Sequence, residues 1–253
     1  MIKLCLFVVL VASAPLMALQ PVSGDDLRPG IGLADRRIPV NLEQSPWTAL
    51  VRVQTELGER CSGFLVSPQV VMTAAHCLFL PRVRHFIQPG SVHVLVGYDA
   101  GRYRAHARVV RFTIASGYLP LDETASAGAD RAVLVLDHQV VPASVSLPTA
   151  QAPAMLPAPV RLGGYGQDRD EIAVADPECR LTGRSADGQG RPLLAHDCDA
   201  TRGTSGAPLL WRRPDGKWAA IGIQIAAVDG NAGGIAVPLG APAAIPSGMS
   251  AGR

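Results

Sequence analysis

The chain has 253 residues, of which 48% are hydrophobic, 17% are charged and 5% are aromatic. This length and apolar content are enough for a core in one all-β unit or in two barrels. The formal net charge of +2 is too small to indicate a nucleic-acid partner, so the sequence points away from that class of protein.

Residues 1–24 have the features of a secretory signal peptide. Lys3 precedes an apolar run, Leu4–Leu19, which is too short to span a bilayer comfortably. Cleavage after Ala18 or after Gly24 fits the small-residue rule, and both sites stay open. We predict an exported chain, secreted or periplasmic, with no membrane span once the signal is removed.

Four cysteines remain after the signal, because Cys5 leaves with it. An even number of cysteines in an exported chain predicts two disulfides, and four cysteines allow three pairings. The four are Cys61, Cys77, Cys179 and Cys198.

The rest of the chain has the pattern of an all-β protein. Residues 25–37 are charged and aperiodic, which predicts an extended lead-in or a short pro-segment. Beyond them, short apolar runs alternate with Gly, Pro and Asp, and a proline-rich linker at 148–159 divides the runs into two groups. The predicted strands are Trp47–Gln54, Cys61–Val66, Val70–Thr73, Val92–Val96, Ala107–Ile114, Arg131–Leu136, Val160–Gly164, Leu193–His196, Ala207–Trp211, Trp218–Ala227 and Gly234–Leu239.

Residues 198–210 contain a candidate nucleophile, Ser205, between Gly203 and Gly206. The glycines let the backbone bend sharply and leave the hydroxyl uncovered. The same bend can aim the N–H groups of Gly203 and Ser205 at the oxygen of a tetrahedral acyl intermediate. A serine hydroxyl needs a base, however, and a surface Gly-Ser turn explains this motif alone equally well.

His76 is the candidate base. It follows an apolar strand, its neighbours Ala74 and Ala75 leave its ring room to reach a partner, and a disulfide at Cys77 would fix the loop. The other five histidines are interpreted as structural or surface residues: His85, His93, His106, His138 and His196. No histidine pair has metal-ligand spacing, so we predict neither a metal site nor a cofactor.

Asp130 is the candidate partner for this histidine, since an acid is needed to hold the imidazole tautomer. It immediately precedes a buried strand, where a loop enters the core. Asp122 lies in a polar loop and Asp137 ends the strand, so both are interpreted as solvated. A turn residue at the strand entry is the alternative interpretation of Asp130.

Three motifs together resemble the chymotrypsin/trypsin-like serine peptidases. They are Thr73-Ala74-Ala75-His76-Cys77, Asp130-Arg131-Ala132-Val133-Leu134 and Gly203-Thr204-Ser205-Gly206-Ala207-Pro208. The order His, Asp, Ser is also that of the family. The resemblance covers roughly residues 38–240.

The resemblance implies two antiparallel six-stranded β-barrels with the active site in the cleft between them. Residues 38–147 would form the first barrel, residues 148–245 the second, and residues 246–253 a tail. His76 would act as the base, Asp130 as its orienting acid and Ser205 as the nucleophile. The amides of Gly203 and Ser205 would form the oxyanion hole.

The resemblance also implies that Cys61 pairs with Cys77, as in the histidine-loop disulfide of the family. We predict that the other two cysteines, Cys179 and Cys198, pair with each other. Both pairings close short loops beside candidate site residues.

Several departures place the chain nearer to the exported bacterial branch, similar to the glutamyl-endopeptidase type. Thr204 stands where the animal enzymes have the aspartate that receives a new N-terminus after activation. We therefore expect activity without a free N-terminus at Ile38. Asp199 lies six residues before Ser205, the offset of the acid that binds a basic substrate side chain in trypsin-like enzymes. Two alternatives stay open: Asp199 as a turn residue that hydrogen-bonds its own backbone, and Gln224 as the residue that lines the pocket.

The sequence thus predicts a serine endopeptidase that acts on a protein or peptide substrate. Two other functions stay open: a peptidase-like binding protein that no longer cuts, and an esterase that uses the same site. The presence of His76, Asp130, Ser205 and Gly203 favours an enzyme over the binding protein. The sequence does not predict an oligomeric state.

Overall fold

The structure, a computed structural model, describes residues 28–169 and 171–240. The predicted signal peptide and the predicted tail lie outside these residues. Within the described part, no helix has the length and apolar character that a membrane crossing requires.

Strands dominate the described residues, as the sequence predicts. They are β1 (Ile38–Pro39), β2 (Leu50–Thr55), β3 (Arg60–Ser67), β4 (Val70–Thr73), β5 (Phe79–Leu80), β6 (His85–Phe86), β7 (Val92–Val96), β8 (Ala105–Ile114), β9 (Ala132–Leu136), β10 (Ala158–Pro159), β11 (Arg161–Gly164), β12 (Val174–Asp176), β13 (Arg180–Ala186), β14 (Pro192–His196), β15 (Pro208–Arg212), β16 (Trp218–Ala227) and β17 (Gly234–Pro238). One short α-helix, α1 (Glu123–Ser126), occurs among the described residues, together with 3-10 turns at Trp47–Ala49, His76–Leu78, Pro89–Ser91, Ala127–Ala129, Ala143–Val145 and Gln167–Arg169.

The first barrel closes on itself in the order β2-β3-β4-β9-β8-β7, with every neighbouring pair antiparallel. Its interior is filled by fully buried aliphatic and aromatic side chains, among them Leu50, Phe64, Leu65 and Leu134. Closure leaves this sheet without a free edge. The predicted six-stranded first barrel is therefore confirmed.

The second sheet differs in detail from the six-stranded barrel that the resemblance implies. It has nine strands in the order β1-β12-β11-β15-β16-β17-β14-β13-β10 and its ends do not pair, so it is a half-barrel. Six of these strands have four or more residues, and β1, β10 and β12 are shorter. The two-barrel architecture holds, with short strands added at the margins.

The predicted boundary at residue 38 needs a correction. Ile38 and Pro39 form β1, which pairs with β12 of the second sheet rather than with any strand of the first barrel. Residues 28–37 also pack on the second sheet, where Gly30 forms a bridge to Ala232. The lead-in is thus part of the folded second unit.

Six of the observed strands were not predicted, namely β1, β5, β6, β10, β12 and β13, and β13 is the longest of them. In β13 only Leu181 is buried, and the other positions are exposed or half-buried residues such as Thr182 and Gly183. A strand whose side chains mostly face solvent carries no apolar alternation, so its sequence does not reveal it.

Candidate active site

The pairing of β4 with β9 brings His76 to Asp130. Thr73, at the end of β4, pairs with Ala132, at the start of β9. His76 follows in the next turn, and Asp130 lies two residues before the first residue of β9. The carboxylate Oδ2 of Asp130 lies 2.6 Å from His76 Nδ1, and Oδ1 accepts the backbone N–H of His76 at 2.9 Å. Both carboxylate oxygens of Asp130 therefore bind His76, and together they fix the orientation of its imidazole ring.

This contact sets the protonation of the imidazole. Burial is the largest single effect and lowers the pKa of His76, but the hydrogen bond to Asp130 and the negative charge of that carboxylate together outweigh it, so the pKa lies above the usual 6.5. In the neutral ring the proton on Nδ1 faces Asp130. Nε2 is then the nitrogen that can accept a proton.

The nucleophile loop, residues 197–207, joins β14 to β15 without forming a strand. Gly203 and Gly206 adopt φ of +89° and +86°, a region that side chains disfavour. A Cβ on Gly206 would lie 2.1 Å from the carbonyl oxygen of Ser62, and one on Gly203 would lie 2.5 Å from that of Tyr165. Both glycines are required for conformation and for space.

The backbone beside Ser205 offers two unused donors. Within residues 28–169 and 171–240, the N–H groups of Gly203 and Ser205 donate to no protein acceptor. The carbonyl of Gly203 accepts a hydrogen bond from Ser62 Oγ at 2.9 Å. This bond fixes the Gly203–Thr204 peptide, which lies between the two donors. Free, fixed N–H groups can stabilise a developing oxyanion.

Ser62 is a site residue that sequence reasoning missed. Its N–H donates to the carbonyl of Ser205 at 2.8 Å, and its Oγ accepts the N–H of Tyr165 at 2.8 Å. Thr73 Oγ1 donates to its carbonyl at 2.7 Å. Ser62 belongs to β3 of the first barrel, so it joins both units beneath the nucleophile. Its position next to Cys61 is the one signal that could have drawn attention to it.

His76 and Ser205 share one cleft of about 270 Å³. The first barrel supplies His76, and the lead-in and the second unit supply the other lining residues. These are Pro29, Thr201, Arg202, Gln224, Ile225, Ala226, Ala227 and Asp229. A base and a hydroxyl that line the same cleft are among the parts needed for acyl transfer.

A family model named Trypsin matches residues 37–241, more than half of the chain. The chain belongs to the trypsin family.

A short sequence match to one relative agrees with this membership, and a solved structure supports the fold. The CLIP domain-containing serine protease B10 of Anopheles gambiae is 46% identical over 52 residues, which cover 18% of this chain and 14% of the mosquito protein. A solved structure of a Glu endopeptidase in complex with MPD matches with a TM-score of 0.69 and 19% identity. That match covers 84% of this chain and 94% of the solved one, and it supports the fold.

The structure does not place Asp199 in the cleft, which corrects the prediction that it selects a basic substrate as in trypsin-like enzymes. Its buried carboxylate accepts the N–H of Gly32 at 2.8 Å and that of Arg36 at 2.9 Å. Both oxygens are therefore turned toward the lead-in. The charge of Asp199 holds the lead-in and does not face a substrate.

Gln224 does line the cleft, and His196 orients it. The N–H of Cys198 donates to His196 Nδ1 at 3.2 Å, so the neutral ring carries its proton on Nε2. Nε2 lies 2.6 Å from Gln224 Oε1, and Gln224 Nε2 donates to the carbonyl of Ala226 at 2.9 Å. The amide is thus held with its oxygen toward His196.

The cysteines form the pairs Cys61–Cys77 and Cys179–Cys198. The first pair joins β3 to the turn that carries His76, and the second joins the start of β13 to the nucleophile loop. Cys61, His76 and Cys77 lie close enough to one another to suggest a metal cluster. Both sulfurs are in a disulfide, however, so they are not thiolate ligands.

We predict that His196 makes the protein less stable as the pH falls. Burial lowers its pKa to about 4, against the weaker opposing effect of the Gln224 hydrogen bond. Below pH 6.5 His196 binds a proton in the unfolded chain but stays neutral in the native protein. The free energy of unfolding is therefore highest above pH 6.5 and falls by roughly 3 kcal/mol as the pH drops to 4. Urea unfolding at pH 7 and pH 4.5 measures this loss.

The variant His196→Gln keeps an N–H for Gln224 but does not titrate. It should lose less stability than the parent between the two pH values, whereas His85→Gln, at an exposed position, should match the parent. Equal losses in the parent and in His196→Gln would contradict the prediction.

Proposed function

We propose that the chain is an exported serine endopeptidase that works through His76, Asp130 and Ser205. The observation that carries this proposal is the two-point contact of Asp130 with His76, in the same cleft as Ser205 and its two free N–H groups. Membership in the trypsin family supports the reaction class. Export is supported by the signal-like residues 1–24 and by the two disulfides.

The chemistry follows from the roles of these groups. His76 Nε2 takes the proton of the Ser205 hydroxyl as Oγ attacks the peptide carbonyl, and the carbonyl oxygen becomes an anion near the N–H groups of Gly203 and Ser205. The imidazolium then protonates the leaving amine, and the C–N bond breaks to give an acyl-enzyme. Water, deprotonated by His76, attacks the ester and releases the acid and the serine.

The buried residue Gln224 gives the cleft a neutral floor, whereas the charged lining residues Arg202 and Asp229 are exposed. Asp199 is turned away, and the second N–H of the Gln224 amide has no acceptor among the described residues. In this proposal, that N–H donates to a substrate oxygen in the cleft. We therefore expect substrates whose cleaved residue ends in a carbonyl or carboxylate oxygen, namely Gln or Glu, rather than Arg or Lys.

Removal of the nucleophile should abolish activity and preserve the fold. Ser205→Ala and His76→Ala should each lower kcat for peptide hydrolysis by roughly 10⁴-fold or more, and the double variant should be little worse, because the two act as one unit. Ser185→Ala, at an exposed position of β13, is the control and should match the parent.

Steady-state rates on a fluorogenic peptide and on the matching ester measure these losses. Losses that multiply in the double variant would contradict a shared role. Turnover of the ester with none of the peptide would support the esterase instead, and turnover of neither would support the binding protein.

The rate should depend on the protonation of His76. Because only the neutral imidazole accepts the serine proton, kcat/KM should fall as the pH drops through the pKa of His76, which the Asp130 contact places above 6.5. Asp130→Asn removes the negative partner and should move this inflection to lower pH as well as lower the rate. A parent profile that stays flat from pH 8 to pH 5 would rule out His76 as the base.

The side-chain preference can be reversed with one isosteric change. Gln224→Glu replaces the available N–H by an acceptor oxygen, so cleavage should move from Gln and Glu toward Lys and Arg, while the exposed Gln189→Glu should leave the preference unchanged. A mixed peptide library read by mass spectrometry shows the cleaved positions. A parent enzyme that cuts mainly after Arg or Lys would contradict the neutral floor.

A further inference from the structure

The segment 28–37, called the strap below, runs along the nucleophile loop. The N–H of Ala200 donates to the carbonyl of Gly30 at 2.9 Å, and the N–H of Gly30 donates to that of Val228 at 2.7 Å. Gly30 has φ of +77°, and a Cβ there would lie 1.9 Å from the carbonyl oxygen of Ala200. The two backbones touch with no room for a side chain between them.

Arg36 in the strap binds two buried carboxylates. Its Nη2 and Nε lie 2.7 and 3.0 Å from Asp176 Oδ2, and its Nε lies 3.4 Å from Asp199 Oδ2. The same Asp176 oxygen accepts the N–H of Asp199 at 2.9 Å. Arg36 Nη2 also donates to the carbonyl of Asp197 at 2.5 Å. One guanidinium thus holds the first residues of the nucleophile loop.

The charge balance of this cluster depends on Arg36. The side chains of Asp176 and Asp199 are fully buried, and among the described residues Arg36 is the cation that pairs with both. Its hydrogen bond to Asp176 raises the pKa of Arg36 above its usual value. Without this cation two buried carboxylates would face each other unpaired, which is strongly unfavourable.

A second anchor, directly next to Arg36, holds the same end of the strap. Arg37 is buried between Asp35 and Asp168, at 2.9 and 2.6 Å. Its hydrogen bond lowers the pKa of Asp35 to about 2. The turn that contains Asp168 also touches the nucleophile loop, since the N–H of Gln167 donates to the carbonyl of Arg202 at 2.7 Å.

We propose that Arg36 is a positioning residue for the nucleophile loop, and that the intact strap keeps the oxyanion donors in place without any cleavage before Ile38. The proposal rests on the proposed function of Ser205 and Gly203. Thr204 carries no charge that could receive a new α-ammonium group, whereas Arg36 supplies a cation from within the uncut chain. Loss of that cation lets the loop shift, and a shift of about 1 Å at reacting groups costs roughly a hundredfold in rate.

The test compares Arg36→Ala with Arg213→Ala in the full chain. Arg213 pairs with Asp215 in an exposed hairpin of the same unit and serves as the matched control. Arg36→Ala should lower kcat by roughly a hundredfold with a much smaller change in KM, and Arg36→Lys should recover part of the loss. Added guanidinium ion at low millimolar concentration should partly rescue Arg36→Ala alone. Thermal melting of each variant checks the fold.

Each outcome decides a different claim. An Arg36→Ala variant with the parent's kcat would overturn the positioning role and leave the proposed function standing. A parent that neither hydrolyses peptides nor reacts with a fluorophosphonate would refute the proposed function and the positioning role together. If Arg36→Ala does not fold, Asp199→Asn replaces it as the variant: a lower kcat at an unchanged melting temperature supports the role, and an unchanged kcat refutes it.

Discussion

The hydrogen bond from the N–H of Ser62 to the carbonyl of Ser205 connects the two halves of the candidate site. His76 is carried by the first barrel and Ser205 by a loop of the second unit, so their relative position depends on contacts that cross the interface. Ser62 supplies several of these contacts, and its neighbour Cys61 is bonded to Cys77, next to His76. One dipeptide of β3 therefore joins the base to the nucleophile. The rest of the site geometry depends on this connection.

The nucleophile loop has no strand ladder of its own, so its shape comes from the groups that hold it. Ser62 holds it from the first barrel, and the strap holds it from the opposite side through Asp199 and Arg36. Asp199, the acid six residues before Ser205, already accepts hydrogen bonds from the strap and does not face the cleft. The cleft then has a neutral amide, Gln224, where a trypsin-like enzyme specific for basic residues would have a charge, and His196 sets the direction of that amide. In the proposed function, loop support and substrate selection therefore belong to separate residues.

Sequence patterns were sufficient for most of the fold. The alternating and apolar runs predicted the strands of the first barrel, and three short motifs predicted the family. The exposed strand β13 was not predicted because a solvated strand has no apolar periodicity. The lengths of the predicted strands also gave no indication that the second sheet is open. At the site, the structure brings His76 and Asp130 into contact, as their motifs suggested, but Asp199 was misassigned because its offset from Ser205 says nothing about where its carboxylate points. Ser62 and the strap were missed since their roles arise from contacts between residues more than a hundred positions apart.

The measurement that tests the central claim most directly is the site and rate of reaction with a fluorophosphonate, a probe that requires an activated serine. Peptide mapping by mass spectrometry should find one adduct per folded chain, on Ser205, and none after unfolding in urea. The rate should fall by orders of magnitude in His76→Ala, because the hydroxyl then lacks its base. An unlabelled chain, an adduct on another serine, or equal labelling rates in the parent and in His76→Ala would contradict the account.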